Sequence, residues 1–164
     1  KIKNKEDIYM RIETLVNKLV KKYNTRNPFE IADYLGIIVI LIPLQGIKGM
    51  YQYFQRNSII YINSFLSDNE RNIVCTHELG HAILHKKTNS TLLNLYSLNN
   101  ITNKFEKEAN EFASYLLLGN YDKSEIQEYS TKEIVKMTGL SEDAIIKFVV
   151  DILHRQSKSE RMIL

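Results

Sequence analysis

The chain has 164 residues, 44% of them hydrophobic and 25% charged, and its formal net charge is +3. These values lie near the averages of globular proteins, so a disordered or fibrous chain is excluded, and one domain of ordinary size with a buried core is the default. Only 6 glycines and 2 prolines interrupt the sequence, which is therefore expected to be rich in helix. Residues 7–23 carry apolar groups at Ile8, Ile12, Leu15, Val16, Leu19, Val20 and Tyr23, one face of an amphipathic helix. Asn27, Pro28 and Glu30 form a second helix start, with a cap, a proline in the first turn and an acid three residues on, and Leu35-Gly36 ends that helix. The β-branched run Ile37–Ile42 before Pro43 predicts a buried strand. Two shorter strands follow, Met50–Phe54 and Ile59–Asn63, separated by the polar stretch 55–58 of hairpin length.

Ser67 and Glu70 have the spacing of a capping box and open a helix running to about His85. Residues 87–101 are mixed and rich in Asn and Ser, and predict an irregular loop. A helix from Thr102 or Asn103 to about Leu118 stops at Gly119. Two final helices, Thr131–Met137 and Glu142–His154, are joined by Thr138-Gly139-Leu140-Ser141, with Ser141 as the cap of the second. Helices, three strands and helices again describe an α+β domain with a small three-stranded sheet packed on helices. The expected organisation is a core over 1–120 and a helical subdomain over 121–164 packed on it.

The segment His77-Glu78-Leu79-Gly80-His81 carries the chemistry. Two histidines four apart on a helix differ by about 40° in direction and ~6 Å in height, so both imidazoles reach one ion. Glu78 lies between them in angle, beside the ion's open position, where a general base is needed. With only 4 histidines in the chain, a chance match inside a well-capped helix is rare. Gly80 costs about 0.8–1 kcal/mol in mid-helix relative to Ala, which implies close approach by a neighbouring helix or a substrate backbone. His85, by the same helical arithmetic, drifts away from the pair and is expected to pack beside the site. Cys75 points to nearly the opposite face and is expected to be a small buried apolar residue; as the single cysteine it also fits a reducing compartment.

A catalytic zinc takes three protein ligands and a water. In the helix after the loop, Glu106, Ala109, Asn110 and Ala113 form one stripe whose alanines permit close packing on the His77–His81 helix. Glu106 is then the candidate third ligand, and Asn110 a partner that orients a ligand histidine. Glu108 and Glu111 lie off the stripe and are expected on a solvated acidic face. Tyr96, in the loop, is a candidate donor to the developing oxyanion.

With these motifs in place the chain resembles the ImmA/IrrE-type metallopeptidases. The resemblance rests on His77-Glu-Leu-Gly-His81 followed by Ala82-Ile-Leu-His85, on Glu106-Lys-Glu-Ala-Asn-Glu-Phe-Ala113 with Leu116-Leu-Leu118, and on Ile60-Tyr-Ile-Asn63 upstream. It implies a zincin-like, gluzincin-type metallopeptidase with His77, His81 and Glu106 as zinc ligands and Glu78 as general base. It also implies a helix-turn-helix transcriptional repressor of a phage, mobile element or stress response as substrate. The chain departs from the family's pattern at Gly119, where a proline is usual after the Leu-Leu run. Imidazole and carboxylate donors also suit manganese or iron.

The C-terminal pair has helix-turn-helix spacing, but its second helix opens Glu142-Asp143 and holds Lys147 as its basic residue before His154, which argues against phosphate binding. Ile134, Val135, Met137, Leu140, Ile145, Ile146, Val149 and Leu153 are expected to pack, and the pair is a candidate docking surface for the substrate. Arg155, Lys158 and Arg161 form a basic, solvated end. No apolar run approaches the ~20 residues of a membrane span, and no signal stretch follows the basic start, so a cytoplasmic protein without membrane contact is expected. The competing reading is a metal-containing sensor that binds a transcriptional regulator without cutting it. An intact Glu78 speaks for catalysis, since metal binding alone does not require it.

Overall fold

The computed structural model describes residues 5–87 and 99–161, with side chains described at 12–87, 103–122 and 124–153. Helix α1 (Lys5–Tyr23) buries Ile12 and Val16 on its predicted apolar face. Helix α2 (Pro28–Tyr34) starts where the Asn27 side chain accepts the Phe29 N–H, and the chain leaves it through Gly36 at φ 67°. Strands β1 (Ile38–Ile42), β2 (Gly49–Phe54) and β3 (Asn57–Asn63) form one sheet in the order β1-β3-β2. β1 runs parallel to β3 and β2 antiparallel to it.

The expectation of a buried first strand is corrected here. β3 occupies the centre, with Ser58, Ile60 and Ile62 buried on alternate positions, and β1 is an edge strand. Ile38 and Leu41 remain 46% and 47% exposed. A continuous apolar run does not distinguish a central strand from an edge strand with one covered face. The hairpin is also tighter than the polar stretch implied. Gln55 and Arg56 alone make the turn, both at positive φ (48° and 68°), and β3 begins at Asn57, opposite Phe54. Ser58 lies within the strand, opposite Tyr53, and its hydroxyl is 3.2 Å from the buried Tyr51 hydroxyl.

Helix α3 (Asp68–Leu84) opens with the full Ser67/Glu70 capping box and lies across β2 and β3. Helix α4 (Asn99–Leu118) begins earlier than predicted, so residues 99–101 are helical rather than loop. Among the described residues, its packing on α3 is the most extensive between two helices. A short helix absent from the sequence reading, α5 (Lys123–Gln127), follows its own Asp122/Glu125 capping box. Helix α6 (Thr131–Thr138) ends at Gly139 in the left-handed conformation. Helix α7 (Glu142–Arg161) continues past His154 and packs on α4. Val74, Leu79, Phe112, Leu116, Ile145 and Phe148 join the sheet's buried face in one core. Among the described residues no helix is long and apolar enough to cross a membrane.

Gly119 marks the exit of α4 for a specific reason. Arg26, from the α1–α2 connection, donates to the Tyr115, Leu116 and Gly119 carbonyls at 3.0, 3.3 and 3.1 Å. A Cβ at position 119 would lie 2.4 Å from the guanidinium and 2.5 Å from the Tyr115 carbonyl oxygen. The glycine makes room for a cation that closes the helix's carbonyl end.

Candidate metal centre

α3 and α4 cross where Gly80 of α3 faces Ala109 of α4. A Cβ on Gly80 would stand 3.2 Å from both the Cα and the carbonyl oxygen of Ala109, and 3.2 Å from a Phe112 ring carbon. The neighbouring helix, not a substrate backbone, is what requires the glycine. This close approach brings Glu106 to the two histidines on α3.

His77 Nε2 and His81 Nε2 are 3.2 Å apart, and the Glu106 carboxylate lies 3.2 Å from the first and 3.3 Å from the second. Donors bound at ~2.0–2.1 Å around a tetrahedral ion sit roughly 3.3 Å from one another, so these spacings are those of a ligand set facing one point. Two imidazole nitrogens and a carboxylate oxygen are also the donor types a divalent cation needs. Three donor atoms within 4.8 Å of one another satisfy both the geometry and the chemistry of a metal site.

The electrostatics are those of a mutually charged group. Burial works to lower the His77 pKa, but the Glu106 hydrogen bond, the charges of Glu78 and Glu106 and a hydrogen bond that the ring donates to Asn110 together raise it. Burial works to raise the Glu106 pKa, and the two histidines hold it well below the usual carboxylate range instead. Asn110 thus takes the expected place beside a ligand candidate. Its amide also donates to the Glu106 backbone carbonyl at 2.9 Å, which fixes its orientation.

Glu78 is buried and its carboxyl is raised above the ordinary value, chiefly by that burial, with the two histidines opposing and Glu106 adding to it. Its carboxylate receives the Tyr51 backbone N–H from β2. Nothing in the sequence pointed to Tyr51. Its ring is fully buried, and its hydroxyl also donates to the Lys86 carbonyl at 2.7 Å, which ties β2 to the end of α3.

His85 packs beside the site, as expected, its ring 4.1 Å from that of Phe105. Cys75 is buried, and burial pushes its thiol up to about 12. The solvated acidic face expected for Glu108 and Glu111 is not found. The Glu108 side chain is 13% exposed beside His85 and Lys104. Glu111 is buried against Lys147 of α7. Glu108 and Glu111 do not face water because the end of α3 covers the first and α7 the second. Tyr96 and the side chains of His154, Arg155, Lys158 and Arg161 lie outside the described residues.

A cleft of about 440 Å³ opens beside His77, Glu78 and Asn110. Its near rim is Lys48-Gly49 at the start of β2, and its far wall is the end of α6 with the α6–α7 turn, from Lys136 to Leu140. Met137, expected to pack, is 53% exposed there, and Ile146 on α7 is 46% exposed. Ile134, Leu140 and Ile145 are buried as expected.

The model of the IrrE N-terminal-like domain, family Peptidase M78, matches residues 32–146. The chain belongs to this peptidase family. The match runs from within α2 to the first turn of α7, and so contains all four residues of the HExxH-plus-Glu arrangement and the α6–α7 turn. Among relatives of this family, the chain is 42% identical over 135 residues to the "Uncharacterized immunity region protein 2" of Bacillus phage phi105, covering 80% of this chain and 85% of that one. It is 31% identical over 130 residues to the "Metallopeptidase ImmA" of Bacillus subtilis (strain 168), covering 75% of each. Membership of a metallopeptidase family and the His77–His81–Glu106 cluster together imply a metal-dependent peptidase.

Proposed function

We propose that the chain is a zinc-dependent endopeptidase that cuts a peptide bond in a regulatory protein, a helix-turn-helix repressor of a phage or mobile element. The observation that carries this reading is the convergence of His77, His81 and Glu106 on one point with buried Glu78 adjoining. Two histidines and a glutamate are the ligand set of thermolysin-type catalytic zinc. The phage immunity-region relative supports a repressor as the partner.

In this reading His77, His81 and Glu106 hold the ion, and Asn110 holds the His77 ring in the orientation that binding needs. When bound, the ion polarises the scissile carbonyl and acidifies the attacking water. Glu78 receives that water's proton and returns it to the amide nitrogen as the C–N bond breaks. Its raised pKa moves the base closer to neutral pH, where accepting and returning a proton are both accessible. The substrate lies extended, added to the outer edge of β2, whose Tyr51 N–H already reaches the active-site helix.

The test is metal analysis of the purified chain together with incubation against candidate repressors. One zinc per chain and a single cut in one repressor are expected. Glu78→Gln should lower cleavage by about 10²–10⁴-fold while the metal content stays the same. Cleavage persisting in that variant would remove Glu78 as the base. Binding of a repressor without cleavage would favour the sensor reading instead.

A further inference from the structure

We infer that the α6–α7 turn is the substrate-reading wall of the cleft, selecting an apolar side chain beside the scissile bond and an acidic residue within a few positions of it. The inference deepens the peptidase reading above and rests on it. The cleft has one reactive side, His77, Glu78 and Asn110, and one side with no role in the chemistry, Lys136–Leu140. On that second side Ile134 and Leu140 are each 4% exposed, which anchors the turn, yet Met137 between them is 53% exposed and borders the cleft. Ile73 and Val74 of α3 continue the apolar lining. A thioether adapts to apolar partners of several shapes, so Met137 suits a subsite that accepts a class of side chains rather than one.

The rim gives the second half of the selection. Lys48 stands 3.9 Å from Glu70, and Glu70 is already engaged by the Ser67 N–H and hydroxyl in the capping box. Lys136 is exposed and makes no ion pair among the described residues. Two rim cations therefore face one committed carboxylate, and a peptide crossing this rim is favoured by an acidic residue and disfavoured by a basic one. The apolar lining of Met137, Ile73 and Val74 suits a side chain of a peptide rather than a nucleic-acid backbone.

The experiment uses the full chain carrying Glu78→Gln, loaded with zinc, and fluorescein-labelled peptides of one extended scaffold read by anisotropy. A Leu-centred peptide with a nearby Asp should bind about fivefold tighter than its Lys counterpart, the size expected of exposed charge pairs. Lys136→Glu should reverse that order, and Met137→Asp should bring the Leu-centred peptides down to the affinity of Ala-centred ones. Both positions are exposed, so circular dichroism and zinc content should match the parent. Digestion of a mixed peptide library by the chain with Glu78 intact, read by mass spectrometry, shows the same preference at the cut bonds. An unchanged charge order in Lys136→Glu, no peptide binding at all, or equal displacement of the peptide by an oligonucleotide overturns the inference. Selective binding without any cleavage upholds the wall and overturns the hydrolysis.

Discussion

His85 shows how one side chain next to the metal site makes the fold sensitive to acid. Its ring is buried, and burial, reinforced by the nearby His81 and Lys104, pushes its pKa down to about 4. Nε2 lies 3.3 Å from a Glu108 carboxylate oxygen without a hydrogen bond of its own among the described residues. The unfolded chain takes up this proton near pH 6.5 and the folded chain only near 4, so acid favours unfolding across that window. With metal removed by chelation from both proteins, the urea midpoint should fall from pH 6.5 to 4, and fall less in His85→Gln. Parallel midpoint curves for the two would show that His85 carries none of the acid sensitivity. At the same scale the grouping of His77, His81 and Glu106 was legible in the sequence. Helical arithmetic separates Glu106, on the alanine stripe, from Glu108 and Glu111. It did not show that those two are buried, because burial there comes from α7 and from the end of α3, which residue spacing along α4 does not record.

The elements were legible wherever their signals are local. The Ser67 capping box, the Asn27 cap and the terminal glycines Gly36 and Gly139 all sit where the sequence put them. Those signals are made by residues within one turn of the helix end, so spacing suffices to find them. The Asp122/Glu125 box of α5 is as local and was present to be read. The role of Gly119 was not legible, since the group that requires it, Arg26, is 93 residues away. Three carbonyls of a helix end depend on this one guanidinium. Arg26→Ala should therefore cost about 1.5–3 kcal/mol in urea unfolding, the range for hydrogen bonds from a charged donor. Arg26→Lys should recover only part of it, because a point charge does not reproduce the fork that spans these carbonyls. Equal stability of the Ala variant and the parent would mean that water replaces the cap at no cost. Strand order was likewise beyond local signals. β1 reads as a buried strand by composition, and only the placement of β3 between the others makes it an edge.

Across the whole molecule, α7 and α4 are joined by a few polar contacts set in an apolar seam. The rings of Tyr115 and Phe148 meet edge to face, the Tyr115 hydroxyl donates to Asp151, and Lys147 pairs with buried Glu111 at 2.5 Å. Burial pushes the Glu111 carboxyl up to about 7 even against the pull of Lys147. Removing the ammonium in Lys147→Met leaves that carboxyl in the seam without its cation, at a cost of about 3–5 kcal/mol for a fully buried pair. The Lys147 side chain is 25% exposed, and Glu111 escapes part of the penalty by taking a proton, so about 2 kcal/mol is expected. Replacing both charges, Glu111→Leu with Lys147→Met, removes the stranded carboxyl and should return stability to within about 1 kcal/mol of the parent, as apolar substitution of buried pairs often does. Because α7 follows directly on the α6–α7 turn, the single variant should also loosen the far wall of the cleft while leaving His77, His81 and Glu106 in place. Zinc stoichiometry then stays at the parent value as peptide affinity falls, and the double variant restores both stability and affinity. A single variant that unfolds at the parent's urea midpoint, or a double variant no more stable than the single, would show that this pair does not hold the two parts together.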